Sequence, residues 1–167
     1  MIDTVLDITP ENLMAYGFKE TWKHNFSIKR GDTLVTLKPI DESMIEWLLL
    51  LDGEIKTTKD TGIITITTFE QLNYWMRKYR LPTFSLTILT DTFLKSVGMK
   101  TGDIVDVYIY DDLFGTDHVL MRYCGTYFRC QVEIFGRLLV NERITTEEQF
   151  RYYLHKNDIY LDDKLGK

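Results

Sequence analysis

Two stretches of this chain occur twice, in the same order and at nearly the same separation. Ile66-Thr67-Thr68-Phe69-Glu70-Gln71-Leu72-Asn73-Tyr74-Trp75-Met76 is matched 78 positions on by Ile144-Thr145-Thr146-Glu147-Glu148-Gln149-Phe150-Arg151-Tyr152-Tyr153-Leu154. Ile8-Thr9-Pro10-Glu11-Asn12-Leu13, closing at Gly17-Phe18-Lys19, is matched 81 positions on by Leu89-Thr90-Asp91-Thr92-Phe93-Leu94, closing at Gly98-Met99-Lys100. A small loop deletion absorbs the difference between the two offsets. Ordered self-similarity of this kind marks a repeated supersecondary unit. The 167-residue chain is therefore expected to hold two copies of one unit, residues 1–82 and 83–167, joined at Leu81-Pro82-Thr83.

Each recurring block has a local meaning. Thr67-x-x-Glu70, Thr68-x-x-Gln71, Thr145-x-x-Glu148 and Thr146-x-x-Gln149 all read as capping boxes. In such a box a hydroxyl accepts from an orphan helix N–H, and the acid or amide three positions on answers back. Leu72, Trp75, Met76 and Tyr79 then follow at the spacing of one helical face, and Phe150, Tyr153 and Leu154 repeat it. In the earlier block Thr9 or Thr90 caps a short helix, and Pro10 suits its first position. Gly17 and Gly98 suit its left-handed stop, followed by apolar Phe18 and Met99.

Strand-rich sequence fills the space between these helices. The expected strands of the first copy are Phe26 to Lys29, Thr33 to Leu37, Met44 to Leu51 and Ile63 to Ile66, with a hairpin at Asp52-Gly53. In the second copy they are Ile104 to Tyr110, Val119 to Tyr123, Tyr127 to Ile134 and Leu138 to Val140. The predicted fold class is α+β: two related units, each an antiparallel sheet with a short N-terminal helix and a C-terminal helix.

Charge and cysteine usage narrow the function. Net charge is −5, with 20 basic against 25 acidic residues and neither half basic. Nucleic-acid binding through a broad phosphate footprint needs a local Lys/Arg excess, so nucleic acid is not an expected partner. Residues 1–10 lack the basic and apolar regions of a secretory signal, and the longest apolar run, Trp47 to Leu51, is too short to span a bilayer. A cytoplasmic protein with no membrane partner is expected, with Cys124 and Cys130 as free thiols.

The chemistry-bearing residues form no recognised constellation. His24, His118 and His155 lack metal-ligand spacing, and Cys124-x5-Cys130 fits neither a zinc pair nor a redox motif. No catalytic, metal or cofactor site is expected. Asp111, Asp112, Asp117 and His118 gather around what reads as a hairpin loop, where Asp and Gly serve the turn; an acidic enzyme site there is the remote alternative. The candidate interaction residues are tyrosines on presumed outer faces: Tyr108 and Tyr110, opposite Val105, Val107 and Ile109 on their strand, and Tyr74 and Tyr152, off the apolar faces of their helices.

Two resemblances add to this reading. Leu94-Lys95-Ser96-Val97-Gly98-Met99-Lys100-Thr101-Gly102-Asp103-Ile104-Val105-Asp106-Val107-Tyr108 resembles the AbrB/MazE swapped-hairpin family over residues 84–123. That resemblance implies an intertwined DNA-binding dimer and, for function, a transcriptional regulator. Where the family uses basic residues, this chain has Thr90, Asp91 and Thr92, with Lys95 the basic residue nearby. Asp7 to Leu13, Gly17-Phe18 and Ile66 to Trp75 are together similar to small proteins of crass-like tailed phages, over residues 7–80. The leading expectation is a non-enzymatic structural or protein-interaction protein in a homo- or hetero-oligomer, as a virion component of head, connector or tail; the DNA-binding regulator is the alternative.

Overall fold

The structure, a computed structural model, describes residues 5–58, 62–103, 105–111 and 117–161. The chain divides into two compact units, Val5–Ser85 and a second whose described residues begin at Leu86. The first runs α1 (Pro10–Ala15), β1 (Lys19–Trp22), β2 (Asn25–Arg30), β3 (Thr33–Pro39), β4 (Trp47–Leu51), β5 (Glu54–Ile55), β6 (Thr57–Thr58), β7 (Gly62–Ile63), β8 (Thr65–Ile66) and α2 (Phe69–Lys78). The second runs α3 (Asp91–Ser96), β9 (Lys100–Thr101), β10 (Val107–Asp111), β11 (Asp117–Tyr123), β12 (Phe128–Ile134), β13 (Arg137–Ile144) and α4 (Glu147–Lys156).

Both units are α+β and have one strand order. The first sheet is ordered β1-β2-β3-β4-β5, with β8 also on β4, and β6 pairs β7 separately; the second is β9-β10-β11-β12-β13. Every pairing among the described residues is antiparallel. The registers equate the sheets position by position. Phe26 lies opposite Leu37, which lies opposite Leu49; Tyr108 lies opposite Met121, which lies opposite Cys130. Trp47 pairs Ile66, and Phe128 pairs Ile144.

The recurring sequence blocks hold the same jobs in both units. Thr9 and Thr90 accept from the N–H of Asn12 and Phe93, each at 3.1 Å. Both short helices stop at a glycine with φ of +97° (Gly17) or +98° (Gly98). Phe18 N–H then donates to Leu13 and Met99 N–H to Leu94, which closes the same glycine-stopped turn twice. Gly17 has a further constraint, since a Cβ there would come 3.3 Å from Ile28.

The longer helices begin at Thr68 and Thr146, which accept from Gln71 and Gln149 N–H. Of the overlapping boxes in the sequence, the Thr68/Gln71 and Thr146/Gln149 registers therefore set the helix starts. Glu70 instead accepts from Leu6 N–H, and Glu148 pairs with Arg151 at 3.1 Å. At the far ends Leu81 N–H donates to Met76 and Ile159 N–H to Leu154, past positive-φ Arg80 and Asp158. This third equivalent turn was not read from the sequence, because no glycine announces it.

Two expectations are corrected. The first unit ends at Ser85, not at Pro82, because Phe84 belongs to its core. Asn73 clamps the Phe84 backbone through both amide atoms, at 2.9 and 2.8 Å, and the ring packs on Tyr16, Phe18 and Phe69. The buried face of α2 is also rotated: Phe69, Leu72, Asn73 and Met76 are buried, whereas Tyr79 is exposed and Trp75 only partly covered. The clamp explains the rotation, since a buried amide is tolerated where its donors and acceptor are answered.

Gln149 is the sharpest local test of the fold. Its side-chain oxygen accepts from Thr145 N–H at 2.9 Å and Thr146 N–H at 3.1 Å in a buried setting, whereas the corresponding Gln71 accepts from Thr67 N–H at 2.7 Å in an exposed one. Deleting an acceptor strands buried donors but leaves exposed ones to water. Gln149→Ala should therefore cost about 2 kcal/mol and Gln71→Ala less than about 1 kcal/mol. Urea unfolding of the two variants checks the order; equal losses would contradict it.

Candidate functional site

The turn between β12 and β13 has an unusual local geometry. Ile134 pairs Arg137, so Phe135-Gly136 forms a two-residue hairpin turn with φ of +51° and +78°. Such turns favour Asn, Asp or Gly first, because a bulky side chain is disfavoured in the left-handed region. The corresponding turn of the first unit obeys that rule: Asp52-Gly53 joins β4 to β5, and Asp52 Oδ1 accepts from Leu34 N–H at 2.9 Å. The second unit places a phenylalanine in the same strained conformation and leaves it 78% exposed.

Neighbouring residues extend this apolar tip. Leu138 and Leu139 are 53% and 44% exposed. The register slips between Val132 and Glu133, so Leu139 is the extra residue of a bulge on β13. β13 is the terminal strand in the order of its sheet. The tip therefore combines an aromatic anchor, two leucines and a sheet edge.

The four tyrosines separate into different environments. Tyr74 is 50% exposed on α2 and packs edge-on against Trp75, which in turn meets Tyr79. Tyr152 holds the equivalent place on α4, partly buried against the core and edge-on to Tyr153. Each has a lysine one turn on: Lys78 is 5.6 Å from the Tyr74 ring centre and Lys156 is 5.5 Å from Tyr152.

Tyr108 is not on an outer face, and Tyr110 is only partly exposed. Tyr108 is 4% exposed and belongs to the core with Met121 and Phe128; Tyr110 packs against that core. Cross-strand register is the reason. Tyr108 and Tyr110 lie opposite Met121 and Val119, both fully buried, and directly opposed residues share a face. Val105, expected on the inner face, is 80% exposed. Tyr108 lines a pocket together with Asp91 and Asp106. Burial first, then these carboxylates and a hydrogen bond to Asp91, raise its pKa above the ordinary tyrosine value.

The acidic loop is partly visible. His118 Nδ1 meets Asp111 Oδ1 across paired strands, and Asp117 Oδ1 is buried without a hydrogen-bond partner. Asp112 lies outside the described residues. Among the described residues no three His, Cys, Asp or Glu side chains gather as a metal site. No helix among them is long and apolar enough to cross a membrane.

A scan against models of known protein families, a search of curated proteins and a search of solved structures found no match. What the chain does must therefore be argued from its own surfaces. The sequence reads Phe135-Gly136-Arg137 as a turn between two strands but does not mark Phe135 as a contact residue; its exposure follows only from the register.

The two cysteines give a direct check on this unit. Cys124 is exposed, whereas Cys130 is fully buried on β12 and its thiol is pushed up to about 12, by burial and then by Glu142. Thiolate is the reactive form, so a maleimide should label one thiol in the native protein, at Cys124, and the second only on unfolding. Peptide mapping of the labelled site checks this; rapid native labelling of Cys130 would contradict it.

Proposed function

We propose that this chain is a non-enzymatic structural or interaction protein and that the β12–β13 hairpin tip is its principal contact with another protein. The observation that carries the reading is Phe135, an exposed aromatic held at positive φ where the first unit has aspartate. A bulky residue at that position strains the folded state, and such strain concentrates at sites of function. Exposed aromatics flanked by apolar residues are also the usual energetic centre of protein interfaces.

The setting we propose is a phage particle, as a component of the head, connector or tail. The similarity of residues 7–80 to small proteins of crass-like tailed phages supports it, as does a chain built from two like modules. The charge of the second unit does not favour the DNA-binding alternative. Asp91 stands at the start of α3, where the swapped-hairpin resemblance would place basic residues.

Phe135→Asp tests the interface separately from folding, since aspartate suits the turn. The variant should unfold at an equal or higher temperature than the wild type. It should also lose association, read as solution mass by light scattering and as co-purification with proteins co-expressed from neighbouring genes. Wild-type protein that is monomeric and retains none of those neighbours would overturn the reading, as would a Phe135→Asp variant that associates unchanged.

A further inference from the structure

The second unit carries a pocket of about 340 Å³ bounded by β10, β11, β12 and the start of α3. Its walls mix two kinds of group. Tyr108, Tyr123 and Phe128 supply aromatic surface, while Asp91 and Asp106 supply carboxylates. The volume is within the usual range for small-ligand sites, roughly 300–1,000 Å³.

The repeat shows how this space arises. Phe128 stands at the register position that Trp47 holds in the first unit, each paired with the corresponding isoleucine, Ile144 or Ile66. Trp47 is fully buried, packs edge-on against Phe26 at 6.0 Å, and donates its indole N–H to Ile8 O at 3.2 Å. Phe128 packs in the same way on Tyr108, the counterpart of Phe26, at 6.4 Å. It is smaller than the indole and has no N–H to donate. Ile8 and Leu89 are also equivalent, donating to Thr67 O and Thr145 O at 2.9 Å each. Thus a Trp position on one scaffold is a Phe position, with a cavity beside it, on the other.

The charges around the cavity differ as well. Asp91 replaces Pro10 of the matched block, and Asp106 has φ of +65°. The lining holds these two carboxylates and no basic side chain. Lys95 stands 5.9 Å from the Tyr108 ring centre without lining the pocket. Tyr123 is fixed by donating its hydroxyl to Gly125 O at 2.5 Å, and Asp106 O accepts from Tyr123 N–H at 2.9 Å.

From this geometry we propose that the pocket is a binding site for an organic cation, an alkylammonium or alkylguanidinium group. The nitrogen sits at Asp91 and Asp106, and the alkyl chain lies against the Tyr108, Tyr123 and Phe128 rings. Carboxylates provide charge-assisted hydrogen bonds, and aromatic faces attract a cation while burying its methylenes. A lysine or arginine side chain of a partner and a free amine present this same chemistry. The site stands apart from the hairpin contact, so either can fail alone.

The probe is n-butylammonium, followed by isothermal titration and by aromatic chemical shifts of Tyr108 and Tyr123, with n-butanol as its neutral counterpart. Saturable binding of the ammonium is expected, with the alcohol weaker by about tenfold or more. Asp91→Asn and Asp106→Asn should each weaken it by about tenfold. Phe128→Trp installs the residue the first unit uses, so it should fold and should not bind. Nα-acetyl-lysine methylamide separates the sources: binding as tight as butylammonium supports a partner's side chain, and much weaker binding supports a free amine. The proposal is overturned by absence of saturable binding, by equal binding of butanol, or by a folded Phe128→Trp variant that binds as wild type. Should Phe128→Trp fail to fold, unchanged binding in both asparagine variants overturns it as well.

Discussion

Each unit is closed on itself by a pair of backbone hydrogen bonds between the residues before its first helix and the residues around the start of its last. Ile8 N–H donates to Thr67 O and Phe69 N–H to Leu6 O; Leu89 N–H donates to Thr145 O and Glu147 N–H to Thr87 O. These bridges join segments some 60 residues apart, so they fix where both helices leave the sheet. Four threonines flank them: Thr9, Thr68, Thr90 and Thr146 each cap the helix that follows. Capping and bridging are one device, because an extended residue before a helix can pair as a strand while its side chain satisfies the helix N–H.

On that closed frame the two units diverge where the frame leaves freedom. The pairing registers make Cys130 the counterpart of Leu49 and Met121 the counterpart of Leu37, all buried, so the central core changes only in volume. Chemistry changes at the margins. Trp47 gives way to Phe128 beneath the pocket, and Asp52 gives way to Phe135 at the hairpin tip. The second unit thereby gains an acidic, aromatic-lined concavity and an exposed aromatic tip. These are features that the first unit's equivalent residues fill with an indole or satisfy with a carboxylate.

The repeat, the caps and the glycine stops were legible because each is local. A threonine three residues before its partner N–H, or a glycine that alone is relaxed at positive φ, acts over one turn of helix. The central strands were legible too, although their ends moved: β4 begins at Trp47, and β13 runs on to Ile144; the terminal strands β1 and β9 were not. Tyr108 was not legible. Val105, Val107 and Ile109 alternate as well as Tyr108 and Tyr110 do, and period-two alternation cannot choose between the faces of a sheet. Pairing with Met121 and Val119 made that choice, and it turned one candidate contact residue into core.

The amino-acid sequence by itself determined the number of units, the helix starts, the glycine stops of the two short helices and the α+β character, since these follow from backbone preferences acting over a few residues. Only the tertiary structure decided that Phe84 completes the first core, that Tyr108 faces inward, and that Phe135 stands exposed. Those outcomes depend on which distant strand or helix a residue meets, and that partner is set by register and closure rather than by any neighbour in the chain.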